Sequence, residues 1–101
     1  MYNSERIKDF YDEYGIREWE RMDKSAYDRI NFYLHMHFAR EHITGGKRIL
    51  DAGCGAGRYS IEFARLGNKV TLFDISQGQL DIAREQIEIH GVQDNLSLIH
   101  I

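Results

Sequence analysis

Three glycines at alternate positions, Gly53, Gly55 and Gly57, constrain this chain more than any other feature. They follow the short run Ile49-Leu50-Asp51-Ala52 and precede residues with helical spacing. A strand that runs through such a turn into a helix brings its backbone close to any ligand at the strand's C-terminal edge. Glycine permits that approach and accepts positive φ. The free N–H groups of the following helix favour a ligand carboxylate or phosphate there.

The sequence around this turn reads as an alternation. A strand over 48–52 precedes the glycines, and a helix over about 58–66 follows, with Ile61, Ala64 and Arg65 or Leu66 at helical spacing and Gly67 at its C-terminal cap. A second strand covers 69–73 and ends on Asp74. Ser76 with Gln79 makes a capping box for a helix over about 77–90, closed by Gly91. Residues 95–101 read as a third strand. Strands separated by helices of this length predict a parallel sheet with right-handed crossovers, the first half of a doubly wound, Rossmann-like α/β domain. The pattern stops after the third strand.

Two helices are expected ahead of the sheet. Ile7, Phe10, Tyr11 and Tyr14 fall on one helical face over 4–14, with Asn3 or Ser4 as the cap and Gly15 as the stop. Residues 16–24 form a charged connector holding Trp19 and Met22. A second helix covers about 26–43, with Ser25 and Asp28 as its capping pair. Its apolar stripe runs through Tyr27, Ile30, Leu34 and Phe38 and is widened by Phe32, Met36 and Ile43, and Gly45-Gly46 stops it. The expected division is therefore a helical cap over 1–44 and a partial ligand-binding domain over 45–101.

Composition narrows the function classes. The chain has 101 residues, one cysteine, no proline and a net charge of −3. That length allows one small domain at most. The negative balance and the lack of a basic block give no signal for nucleic acid. No apolar run approaches a membrane span, and the N-terminus lacks the apolar core of a secretory signal. A lone cysteine cannot form an internal disulfide, which points to a reducing cytoplasm. Oligomeric state is left open.

The histidines do not form a metal site. His35 and His37 are two apart on a helix and face different directions. His37 and Glu41 are four apart and lack a third ligand, and His42 sits in a last helical turn, where a cation is favoured. No metal is expected. Cys54 is read as a small residue suited to the turn, with a thiol activated by the adjacent helix N-terminus as the less favoured reading.

Two phosphate-binding patterns fail on inspection. For G-x-G-x-x-G, the third glycine position is Arg58 counting from Gly53 and Ser60 counting from Gly55. For the P-loop, Gly46-Lys47 is followed by Arg48, and the required first glycine is Glu41. The segment instead resembles the first motif of class I S-adenosylmethionine-dependent methyltransferases, a hydrophobic strand followed by D/E-x-G-x-G-x-G, here Asp51, Gly53, Gly55 and Gly57. Val70-Thr71-Leu72-Phe73-Asp74-Ile75-Ser76 resembles the next motif, a strand ending in an acid, and Gln79-Leu80-Asp81-Ile82-Ala83-Arg84 the helix after it. The resemblance spans about residues 26–95.

What the resemblance implies is position-specific. S-adenosyl-L-methionine is the implied cofactor. The backbone around Gly53, Cys54 and Gly55 would line its methionine part, with Gly57 completing the motif. Asp51 would help hold its amino group, Asp74 would bind the ribose hydroxyls, and Ile75 would pack on the adenine. Tyr11, Tyr14, Trp19 and Arg21 are candidates for a lid, although Tyr11 and Tyr14 serve equally well to bury the first helix. The unadorned alternatives are a tight turn for the glycines and a turn or capping aspartate for Asp74. No general base is identified, because in the family such residues follow the fourth strand or later.

The expected activity is methyl transfer to a small molecule, by a chain that is an incomplete fragment inactive by itself. The competing readings are a nicotinamide-dependent oxidoreductase with a degenerate fingerprint and a non-catalytic module binding a cofactor or partner. Residues 96–101 (LSLIHI) also match one reading frame of the mosaic-end adaptor of transposase-based sequencing libraries. An adaptor origin is expected for them, with a natural third strand as the alternative.

Overall fold

The computed structural model describes residues 4–100. Helix α1 is Ser4–Tyr14, α2 is Arg17–Glu20 and α3 is Ala26–His42, with a 3-10 turn at Arg21–Asp23. Strand β1 (Arg48–Ala52), helix α4 (Arg58–Arg65), strand β2 (Lys69–Asp74), helix α5 (Gln77–His90) and strand β3 (Leu96–His100) follow. The expected connector over 16–24 is thus two short helical turns. The third strand begins one residue late, because Gln93–Asn95 is a 3-10 turn. The cap assigned to Asn3 lies outside the described residues.

The three strands are parallel in the order β1-β2-β3. Register sets the two faces. Ile49, Val70 and Leu96 form one row, and Asp51, Leu72 and Leu98 the next. Helices α4 and α5 cover this face and touch each other. Both crossovers advance in the same direction along the sheet, so one handedness puts both helices on the same side. Leu72 is fully buried here with Val70 and Ala64. Burying a side chain of that size stabilises by about 1.5–3 kcal/mol.

The other face carries Leu50, Thr71 and Ser97 in one row and Ala52, Phe73 and Ile99 in the next. Leu50 is 65% exposed. The stripe expected to bury α3 is exposed as well, with Tyr27 at 75%, Ile30 at 59% and Phe38 at 60%. Of the helix's residues only Met36 is buried. The spacing of that stripe correctly marks a helix, but α3 meets α4 through Phe32, whose ring lies 4.8 Å from that of Tyr59, and Tyr27, Ile30 and Phe38 are left exposed.

Helix α1 is tied to the start of α5. Asp12 accepts hydrogen bonds from the Ser76 hydroxyl (2.5 Å) and the Gly78 N–H (3.0 Å). Gln79 is fully buried, and its amide Nε2 donates to the carbonyls of Tyr11 (2.8 Å) and Gly15 (3.0 Å). The capping box is therefore half formed. Ser76 Oγ accepts from the Gln79 N–H, while the Gln79 side chain turns to α1 instead of returning to Ser76. Gly78 is the close-approach residue, since a Cβ there would lie 2.9 Å from Asp12 Oδ1 and 3.2 Å from Asp12 Cα.

Asp12 links this contact to pH. The Ser76 hydroxyl, then Lys8 at 2.9 Å and the Gly78 N–H, hold its carboxyl down from 3.8 to about 2. A carboxyl depressed in the folded state contributes stability above its unfolded value and loses it as pH falls from about 4 through about 2. With the side chain 30% exposed, the contribution is about 1 kcal/mol after allowance for solvent screening. Asp12→Asn is expected to flatten the dependence of thermal stability on pH between 4 and 2. An unchanged acid limb would show that the contact does not hold α1.

Candidate functional site

The backbone after β1 turns at Gly53 (φ +67) and Gly55 (φ +57) and enters α4 through Gly57 (φ +80). Phe73 on β2 holds the first part of this turn, its carbonyl accepting from the N–H groups of Gly53 (2.9 Å) and Cys54 (3.2 Å). The turn thus lies against the C-terminal end of β2, where the chain arrives at Asp74.

Asp74 is 8% exposed. Its Oδ2 accepts from the Gly55 N–H at 2.8 Å and its Oδ1 from the Ser76 N–H at 2.9 Å. An ionised carboxylate offers about four acceptor positions. One further acceptor position is therefore left on each oxygen, which suits a vicinal diol. Asp74 faces a cavity of about 360 Å³ together with Gly53, Gly55 and Ile75. At Gly53 a Cβ would meet nothing within 4 Å, so the cavity reaches the backbone there. Ile7 and Tyr11 of α1 and Glu18 of α2 cover it.

Asp51 is turned toward α4, where it accepts from the Ser60 hydroxyl at 2.5 Å. Burial raises its pKa, the Ser60 hydrogen bond opposes this, and the nearby Asp74 charge adds to the rise. Gly57 serves packing. A Cβ on it would lie 3.1 Å from Leu72 Cδ2 and 3.3 Å from Ala83 Cβ. Cys54 is half-buried, and burial followed by the charges of Asp51 and Asp74 pushes its thiol up to about 12. Burial first, and then the two carboxylates, work against the thiolate, which weighs against the activated-thiol reading.

The lid candidates separate. Tyr11 covers the cavity, whereas Tyr14, Trp19 and Arg21 line a different hollow beside α2. Trp19 is held by Arg58 at the start of α4, whose guanidinium lies 4.8 Å from its ring centre and donates to its carbonyl at 3.0 Å. The same Arg58 pairs with Asp23 at 2.7 Å and lies over Phe32. It clamps α2, the 3-10 turn and α3 onto α4. Ile7 and Glu18 are the cavity residues that sequence reasoning missed, Ile7 because it reads as part of the buried face of the first helix. Glu18 is the less expected of the two. It belongs to a charged run that reads as a solvated face, and its only signal was its nearness to Trp19.

The dinucleotide pattern's third glycine position is occupied by a side chain committed to packing. Ser60, at the third glycine position counted from Gly55, is fully buried and bonded to Asp51. A family model described as a methyltransferase domain matches residues 49–101, about half of the chain. The chain belongs to the methyltransferase-domain family. Members with similar sequences include the ribosomal protein L11 methyltransferase of Syntrophomonas wolfei, 38% identical over 62% of this chain and 21% of that protein. The ubiquinone biosynthesis O-methyltransferase of Nitrosococcus oceani is 39% identical over 64% of this chain and 26% of its own length. The crystal structure of a methyltransferase from Thiobacillus denitrificans, in complex with S-adenosyl-L-homocysteine, matches with a TM-score of 0.60 at 30% identity. It covers 67% of this chain and 28% of that one. The chain thus spans about a quarter of the length of these relatives.

Proposed function

We propose that residues 45–101 are the cofactor-binding half of an S-adenosylmethionine-dependent methyltransferase that acts on a small molecule, with 1–44 as its helical cap. The observation that carries this reading is the Asp74 carboxylate. It is fixed by two backbone N–H groups and still has acceptor positions directed at the cavity beside Gly53 and Ile75. The bound cofactor would supply a methyl group already activated by its sulfonium. Asp74 would hold the ribose, the Gly53–Gly55 backbone would carry the methionine part, and Ile75 would pack on the adenine. Tyr11 and Ile7 would exclude water.

The small-molecule acceptor is favoured by the net charge of −3 and by the cavity's own acidic lining. Both disfavour a polyanion such as RNA. The lone cysteine suits a reducing cytoplasm. Among the described residues no helix is long and apolar enough to cross a membrane.

Calorimetry with S-adenosylmethionine and with NADH, in parallel, tests the cofactor. Binding of the first and not the second is the expected result. Binding of NADH alone would restore the oxidoreductase reading. Methyl transfer by the 101-residue chain is expected to be undetectable, because it spans only about a quarter of the length of its methyltransferase relatives.

A further inference from the structure

The residues facing the cavity include two carboxylates, Asp74 and Glu18, and no lysine or arginine. Glu18 is drawn close. Its Cγ lies 3.1 Å, and its Oε1 3.6 Å, from where a Cβ on Gly55 would stand. Gly55 is the residue whose N–H binds Asp74. The second acid is therefore one residue away from the anchor assigned to the ribose. Its counter-charge is Arg21, whose guanidinium is 3.0 Å away but half exposed and turned to the neighbouring hollow.

We infer that Glu18 makes the cavity selective for the sulfonium cofactor over its thioether product. The inference rests on the cofactor reading above. The two ligands differ in one methyl group and one positive charge, carried on the sulfur. The methionine part is assigned above to the Gly53–Gly55 backbone, so with the ribose at Asp74 the sulfur that joins the two would fall on the Gly55 side of the cavity. The ammonium of the amino-acid arm lies several bonds further out and is common to both forms. A carboxylate at Gly55 thus adds attraction for one form and not the other, and it favours release of the product.

The test is calorimetry of S-adenosylmethionine and S-adenosylhomocysteine with the protein and with Glu18→Gln, with far-UV circular dichroism confirming that the helices persist. The ratio of the product's Kd to the cofactor's Kd is expected to fall about fivefold in Glu18→Gln, the size of one partly screened charge contact. The change should come from weaker cofactor binding, with the product's Kd little altered. Arg21→Gln, which removes the counter-charge, is expected to raise the same ratio. An equal weakening of both ligands, or an unchanged ratio, would overturn the inference and leave the cofactor reading intact. Failure of the folded wild-type protein to bind either ligand would sink the cofactor reading and this inference together.

Discussion

Asp74→Ala is expected to weaken S-adenosylmethionine binding about a hundredfold or more and to destabilise the fold at the same time. Two hydroxyls bonded to a buried carboxylate are worth about 1.5–3 kcal/mol each, and every 1.4 kcal/mol is tenfold in affinity. The same oxygens satisfy the N–H groups of Gly55 and Ser76. Removing them leaves two donors without partners, at about 1–3 kcal/mol each. Asp74→Asn separates the two effects. Its one carbonyl oxygen can still accept from one N–H, but its NH2 group opposes the other donor, so it should melt above the alanine variant and bind nearly as poorly. Thermal melts and calorimetry read these quantities independently. Normal cofactor affinity in Asp74→Ala would refute the ribose assignment, whatever the melt shows.

The second large effect concerns association. The 101-residue chain is expected to self-associate at micromolar concentration. Tyr27, Ile30, Leu34 and Phe38 lie along one side of α3 and are all exposed, as is Leu50 on β1. Among the described residues strand β1 also has a free edge, since β2 is the one strand that pairs with it. An unpaired edge beside uncovered apolar rows is a template for another chain. Covering one side chain of the size of Ile30 or Phe38 is worth about 1.5–3 kcal/mol, so a few such contacts suffice. Light scattering should show a mass that rises with concentration. Ile30→Glu with Phe38→Glu should lower it without loss of helix. A monodisperse monomer that unfolds cooperatively at the same concentration would count against the prediction.

Local signals carried much of the fold. Helical spacing located α1 and α3 almost to the residue, the capping signals at Ser76 and Gly91 located α5, and Ser25 and Ser76 accept from Asp28 and Gln79 as N-caps do. The turn glycines were legible because a positive φ has few other solutions. The partners of several residues were not legible. Gln79 reads as half of a local capping box, yet its amide bonds to α1, more than 60 residues earlier in the chain. Trp19 reads as a lid, yet Arg58 draws it to the flank of α4. Side chains of this kind have several partners within reach, and the choice depends on which backbones pack together.

The glycine turn between β1 and α4 illustrates the division. Residues along the chain were enough to end a strand there, to bend the backbone through left-handed conformations, and to close the next strand with an acid about 20 residues on. Each of these follows from short-range sterics and from the fixed periods of strand and helix. Packing in three dimensions set the rest: Gly57 is spent against Leu72 and Ala83, Asp51 turns to Ser60, and Glu18 comes to lie over Gly55. Those outcomes depend on how α2, α4 and β2 meet, because a side chain settles where its neighbours leave space and a hydrogen-bonding partner. No periodicity along the chain encodes that meeting.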